Sequence, residues 1–203
     1  MSTNEIVKRC PSLGLKLYTY LRFLILPVKK IDEIVPKSGI ITDYGCGVGI
    51  VSCYLGVSSK NRKITGIEYN AERIKKARLI GKNIKNVKFE VRDASKIRIS
   101  KSEVHLLIDV MHHIPYNDQI SLLNNIFKSI RKNDLIIIKD IDKKPFLKYL
   151  WNYTHDKIMT INDRLYFRNQ EWFESFFKER KMKTEIIRCD NFFYSHFIII
   201  ARK

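Results

Sequence analysis

The stretch Ile41-Thr-Asp43-Tyr44-Gly45-Cys46-Gly47-Val-Gly49 constrains the fold more than any other part of the chain. An apolar, β-branched run enters three glycines at alternate positions. That reads as a buried strand from Gly39 to Tyr44, then a tight turn whose backbone amides are exposed at a helix start. Ile50 to Leu55 begins that helix. The pattern then repeats. Strands are expected at Lys63–Glu68, Val87–Arg92, Val104–Val110 and Leu135–Lys139, with helices at Ala71–Gly81 and Asp118–Ile130. Strands alternating with helices at this spacing imply a mostly parallel α/β sheet. After a helix over Glu171–Lys178, two last strands, Thr184–Cys189 and Phe192–Ala201, are separated only by Asp190-Asn191, which predicts an antiparallel hairpin. The expected fold is α/β, a mostly parallel seven-stranded sheet closed by a C-terminal antiparallel hairpin, with helices on both faces.

Two segments lie outside this alternation. From Pro11 to Ile34 apolar residues recur at helical spacing, with Pro27 bending or ending the helix and Ile31–Val35 continuing as a second one. Residues 1–35 are therefore expected as an N-terminal helical cap and 36–203 as the main domain. Asp140 to Gln170 is rich in aromatic, His and charged residues and reads as a helical lid inserted after the fifth strand.

The ends of successive strands carry the chemistry. The glycine spacing is not the dinucleotide pattern, because position 50 is Ile. Glu68 ends the second strand, where a carboxylate accepts both hydroxyls of a ribose, and Asp93 follows the third, within reach of an adenine edge. All of these positions fall at the carboxyl edge of the sheet, where open α/β folds bind ligands.

Taken together, Asp43-x-Gly45-x-Gly47-x-Gly49, Gly66-Ile-Glu68, Arg92-Asp93-Ala94 and Asp109-Val-Met-His-His-Ile-Pro115 resemble a class I S-adenosylmethionine-dependent methyltransferase over about Pro36–Lys139. The resemblance implies the Rossmann-like methyltransferase fold, S-adenosyl-L-methionine as cofactor and S-adenosyl-L-homocysteine as product. It implies that Asp43 and the turn Tyr44, Gly45, Cys46, Gly47 and Gly49 hold the methionine portion. It further implies that Glu68 binds the ribose, that Tyr69 lies beside the adenine, that Asp93 and the Ala94 amide read the adenine edge, and that Asp109 closes over the amino-acid end. The family often has Asp where this chain has Glu68.

Methyl transfer is an in-line displacement that often needs a proton acceptor. His112 and His113 follow the fourth strand directly, and imidazole has a suitable pKa for accepting a phenol or carboxylic proton. In the insert, His155 and Met159 share a helical face, with Trp151, Tyr153 and Asp156 nearby, so His155 is a second candidate base. Tyr166 and Arg168 are candidates for binding an anionic or phenolic acceptor. The expected activity is methyl transfer to a small-molecule acceptor, at an oxygen of a hydrophobic, acidic or lipid-like compound.

Charge tests this expectation. Lys and Arg number 38 against 21 Asp and Glu, a net charge of +17 that suits a polyanionic partner. The crowding of Lys, Ile and Asn is also what an AT-rich genome supplies. Two alternatives to a small-molecule enzyme are an RNA methyltransferase and a non-catalytic cofactor-binding domain. Base N-methylation usually uses an Asn/Asp-Pro-Pro-aromatic segment, and this chain has Asp109-Val-Met-His there. Cys189 is far from that region, against cytosine C5 chemistry, and the remaining length holds no RNA-binding module. Nucleic acid is thus the less favoured partner. The basic, amphipathic first helix reads as a core-packing cap, with cover over an active site or peripheral contact with an anionic membrane as alternatives. Cys10, Cys46, Cys53 and Cys189 have neither disulfide-framework nor zinc spacing, so no metal site is expected and free thiols fit a cytoplasmic protein, with a peripheral place at the inner membrane face as the alternative. Met1–Arg9 lacks the apolar core of a signal peptide, and no apolar run approaches a membrane span.

Overall fold

A computed structural model describes residues 3–93, 99, 101–142, 164–189 and 195–203. The chain forms two compact units, Met1–Ile97 and Arg98–Lys203. Among the described residues, three strands fall in the first unit and four in the second.

The first unit opens with three helices, α1 (Thr3–Arg9), α2 (Leu13–Ile25) and α3 (Val28–Ile34). The Ser12 hydroxyl caps α2 by accepting from the Leu15 amide. Pro27 separates α2 from α3, so the second helix starts at Val28, earlier than the expected Ile31. Then follow β1 (Gly39–Tyr44), α4 (Ile50–Ser58), β2 (Arg62–Glu68), α5 (Ala71–Ile80) and β3 (Val87–Val91). β1 pairs in parallel with β2, Asp43 opposite Gly66, and β2 in parallel with β3, Glu68 opposite Val91. Helix α5 is capped by Asn70, which accepts from the Glu72 and Arg73 amides, and buries Ile74, Ala77 and Ile80 on one stripe.

One fully buried arginine ties this unit together. Arg62 donates from Nε to the Pro36 carbonyl and from Nη2 to the carbonyls of Asp32 and Val35. Its Nη1 reaches the Asp32 carboxylate, the Leu55 carbonyl and the Ser58 hydroxyl. A buried guanidinium is tolerated only when its donors are satisfied in this way.

The second unit contains β4 (Val104–Ile108), a 3₁₀ turn (Met111–His113), α6 (Tyr116–Ser129), β5 (Leu135–Ile141), α7 (Gln170–Lys178), β6 (Lys183–Arg188) and β7 (His196–Arg202). β4 and β5 are parallel, and every residue of both is buried, as continuous apolar runs in parallel sheets require. β7 runs antiparallel to both β5 and β6. Helix α7 packs Phe173, Phe176 and Phe177 inward.

The antiparallel ending agrees with the sequence expectation. β7 begins at His196 rather than Phe192, and the expected Asp190-Asn191 turn lies outside the described residues. So does the insert over 143–163. No described helix is long and apolar enough to cross a membrane.

Candidate active site

In the first unit the glycine turn follows β1 directly. Gly45, Gly47 and Gly49 adopt φ of 67°, 55° and 77°, a left-handed series that side chains resist. The amides of Gly45 and Cys46 both donate to the Ile67 carbonyl, at 2.8 and 3.0 Å, which pins the turn to the end of β2. Gly49 is required twice over. A Cβ there would lie 2.6 Å from the Phe89 ring and 2.9 Å from Ala77. A Cβ on Gly47 would meet nothing within 4 Å, so this side of the turn faces open space.

Two carboxylates brace the turn. Asp43, buried at the end of β1, accepts from the Ser52 hydroxyl of α4 at 2.6 Å. Burial pushes its carboxyl up to about 7, a rise that the Ser52 hydrogen bond opposes and the nearby Glu68 charge assists. Glu68, also buried, accepts from the Gly47 amide at 3.2 Å and the Asn70 amide at 3.0 Å. It thus spans the glycine turn and the start of α5, with Arg73 3.9 Å away.

The remaining first-unit candidates differ in exposure. The Tyr44 ring is fully buried and bonds Thr42. The Cys46 sulfur packs against Gly66, and burial raises its thiol pKa. Tyr69 projects an exposed ring just past β2, and Asp93 is half-buried just past β3. Ala94 lies outside the described residues. Open space at Gly47 beside the buried Glu68 carboxylate, with an exposed aromatic ring at the next residue of the chain, fits a ligand with a ribose and a flat base.

In the second unit, two consecutive residues of β5 hold two residues that follow β4. Lys139 Nζ donates to the Asp109 carboxylate at 2.6 Å, both side chains being buried, and the Asp109 amide donates to the Lys139 carbonyl at 2.8 Å. Asp109 takes φ of 51°, a left-handed conformation that Asp tolerates better than most residues. Next along β5, Asp140 Oδ1 lies 2.5 Å from His112 Nδ1 and also accepts from the Ile141 amide. The His112 ring stacks on Phe167, with centroids 5.0 Å apart, and His113 leans against it at 4.2 Å.

Gln119 of α6 gathers the rest. Its Nε2 donates to the carbonyls of Met111, Ile114 and Tyr166, and its Oε1 accepts from Arg168 Nε at 2.7 Å. The Arg168 guanidinium lies over the Trp172 ring at 3.6 Å and the Tyr116 ring at 4.6 Å. The Tyr166 amide donates to the His112 carbonyl, and its ring meets Tyr116 edge-on. His112, His113, Tyr166 and Arg168 are thus brought together. The Arg168 guanidinium is held by Gln119 and two rings, an arrangement that fastens residues 164–169 to α6.

His155, with Trp151, Tyr153, Asp156 and Met159, falls outside the described residues. Sequence reasoning passed over Asp140 as a partner of His112, and Gln119 altogether. One signal was available. Lys139-Asp140 ends an otherwise apolar strand, and buried charges at such a position need partners. No cluster of metal-ligating side chains occurs among the described residues.

Comparison with known proteins agrees with this geometry. Residues 37–185 match the model of a methyltransferase domain. No curated protein matches the chain. Several solved structures share the fold. Magnesium protoporphyrin IX methyltransferase from Synechocystis PCC 6803, with bound S-adenosylhomocysteine, is 17% identical with a TM-score of 0.65, over 87% of this chain and 79% of that one. An O-methyltransferase family 2 protein from Planctomyces limnophilus, in complex with apigenin, is 13% identical with a TM-score of 0.74, over 98% and 65%. Human N-acetylserotonin methyltransferase, in complex with S-adenosylmethionine, is 15% identical with a TM-score of 0.70, over 100% of this chain and 56% of that one. With the glycine turn, the braced Glu68 and the antiparallel β7 ending, the match over 37–185 places the chain in the methyltransferase-domain family, as an S-adenosylmethionine-dependent enzyme.

Proposed function

We propose that the protein methylates an oxygen of a hydrophobic or acidic small molecule, with His112 accepting the proton that the acceptor gives up. When bound, the cofactor supplies a methyl group on a positively charged sulfur. The observation that carries the proposal is the buried His112–Asp140 pair. A carboxylate at Nδ1 fixes the tautomer and orientation of an imidazole and stabilises its protonated form. The aromatic surroundings of His112 exclude water and suit an acceptor with an apolar body. The names of the structural relatives support the acceptor class, since they pair this fold with a porphyrin, apigenin and N-acetylserotonin.

On the first unit, Glu68 would hold the ribose, Tyr69 and Asp93 the adenine, and the amides of the glycine turn the methionine portion. The Ala94 amide would read the adenine edge, and His155 is the alternative base. The four cysteines are free thiols, which supports a reducing, cytoplasmic setting.

The test is a methyl-transfer screen with labelled cofactor against phenols, carboxylic acids, a lipid extract and an RNA pool. Label in an oxygen-bearing small molecule is the expected result. Label in RNA alone would overturn the acceptor class. S-adenosylhomocysteine binding without label transfer to any of these would mark a cofactor-binding domain instead.

A further inference from the structure

Helix α2 leaves its apolar side outward. Leu13, Leu17, Tyr20, Leu21 and Leu24 are 83%, 58%, 49%, 49% and 62% exposed. At 100° per residue these five positions fall in one arc about 100° wide. Thr19, on the opposite side, is buried, and the Cys10 sulfur lies 3.2 Å from its hydroxyl. Phe23 meets the Tyr54 ring of α4, with centroids 6.0 Å apart. The helix is therefore anchored through one side and presents leucines on the other. A contiguous exposed apolar stripe is costly in water and marks a contact surface.

Charge selects the occupant. Between Glu5 and Asp32 the chain carries Lys8, Arg9, Lys16, Arg22, Lys29 and Lys30 and no acidic residue. We propose that α2 docks on an anionic lipid bilayer, its leucine stripe sinking to the acyl boundary, with Lys16 of α2 and Lys29 and Lys30 of α3 meeting the headgroups. Tyr18 and Tyr20 have the apolar body and polar tip that suit that interface. Lys16 flanks the stripe on the helical wheel, so pairing of two copies through it would set a lysine at the rim of each. The proposal rests on this surface and is independent of the acceptor proposed above.

The experiment is co-sedimentation with vesicles of phosphatidylcholine, and of phosphatidylcholine mixed with phosphatidylglycerol. The wild type is expected to pellet with the anionic vesicles only, and less so as salt rises. Leu17→Ser/Leu21→Ser/Leu24→Ser should weaken that binding about tenfold or more with unchanged circular dichroism and S-adenosylhomocysteine affinity. Lys16→Glu/Lys29→Glu keeps the stripe intact and should also weaken it. Absence of vesicle binding by the wild type, or equal binding by both variants, overturns the proposal. So does a dimer in sedimentation equilibrium that the leucine variant makes monomeric, which would assign the stripe to a second copy.

Discussion

Asp140 Oδ1 lies 2.5 Å from His112 Nδ1, and the two residues are 28 positions apart in the chain. If this pair orients a base, removing the imidazole should hurt more than removing the carboxylate. His112→Ala is expected to lower kcat by about 10²–10⁴-fold while leaving S-adenosylhomocysteine affinity within about twofold. Asp140→Asn should lower kcat about tenfold or more and shift the pH profile of turnover, and Asp140→Glu should recover part of the loss. A loss in Asp140→Asn that appears only in the melting temperature would make the pair structural. Turnover with the labelled cofactor and thermal unfolding of the same preparations separate the two cases.

Glu68 joins the Gly47 and Asn70 amides, so its loss should register in cofactor binding first. Glu68→Ala is expected to weaken S-adenosylhomocysteine binding by about 1.5–3 kcal/mol, roughly ten- to a hundredfold, measured by calorimetry. Unchanged affinity would remove Glu68 from the binding site.

The two glycines of the turn predict opposite outcomes for the same substitution. Gly49→Ala drives a methyl group into Phe89 and Ala77 at a φ of 77° and should cost about 3 kcal/mol of stability. Gly47→Ala meets open space and should cost only about 1 kcal/mol, through its φ of 55°. Its methyl group points where the ligand is proposed to lie, so S-adenosylhomocysteine affinity should fall about tenfold or more. Urea denaturation and calorimetry on both variants check the contrast.

Two buried groups give stability opposite pH slopes. Asp43 is pushed up to about 7 from 3.8, so between those values the folded chain keeps a proton that the unfolded chain has released. Stability therefore falls as pH rises through that window, by up to about 4 kcal/mol. His105 is pushed down to about 4 from 6.5 by burial. Its stabilisation is present above 6.5 and is lost as pH falls toward 4, by up to about 3 kcal/mol. Asp43→Asn should therefore gain on the wild type as pH rises, and His105→Gln should gain on it as pH falls. Urea denaturation at stepped pH measures both differences, and parallel curves for wild type and variant would refute the corresponding assignment.

The strands were legible because Ile-rich runs stop at glycines and acids, as in Gly39–Tyr44 and Leu135–Ile141, whose period and length leave little choice. Helix α1 was not read, since only Ile6 and Val7 within Thr3–Arg9 are apolar and no periodicity forms over so short a stretch. The glycine turn and Glu68 could be read because their spacing is local. Asp140 and Gln119 could not be assigned partners, because the groups they meet depend on where the chain returns. Gln119 binds Arg168, 49 residues later, and no pattern in sequence encodes that meeting.

Arg62 has a consequence for anyone wishing to shorten or transplant this domain. Four of its six acceptors come from Asp32, Val35 and Pro36, at and just beyond the end of α3. A chain cut back to Gly39 would keep the glycine turn and every strand, yet leave a guanidinium sealed inside with most of its donors bare. The leading helices are therefore not a detachable accessory. A chimera built on this scaffold must inherit Asp32–Pro36 together with Arg62, or exchange Arg62 for an apolar residue in the same step.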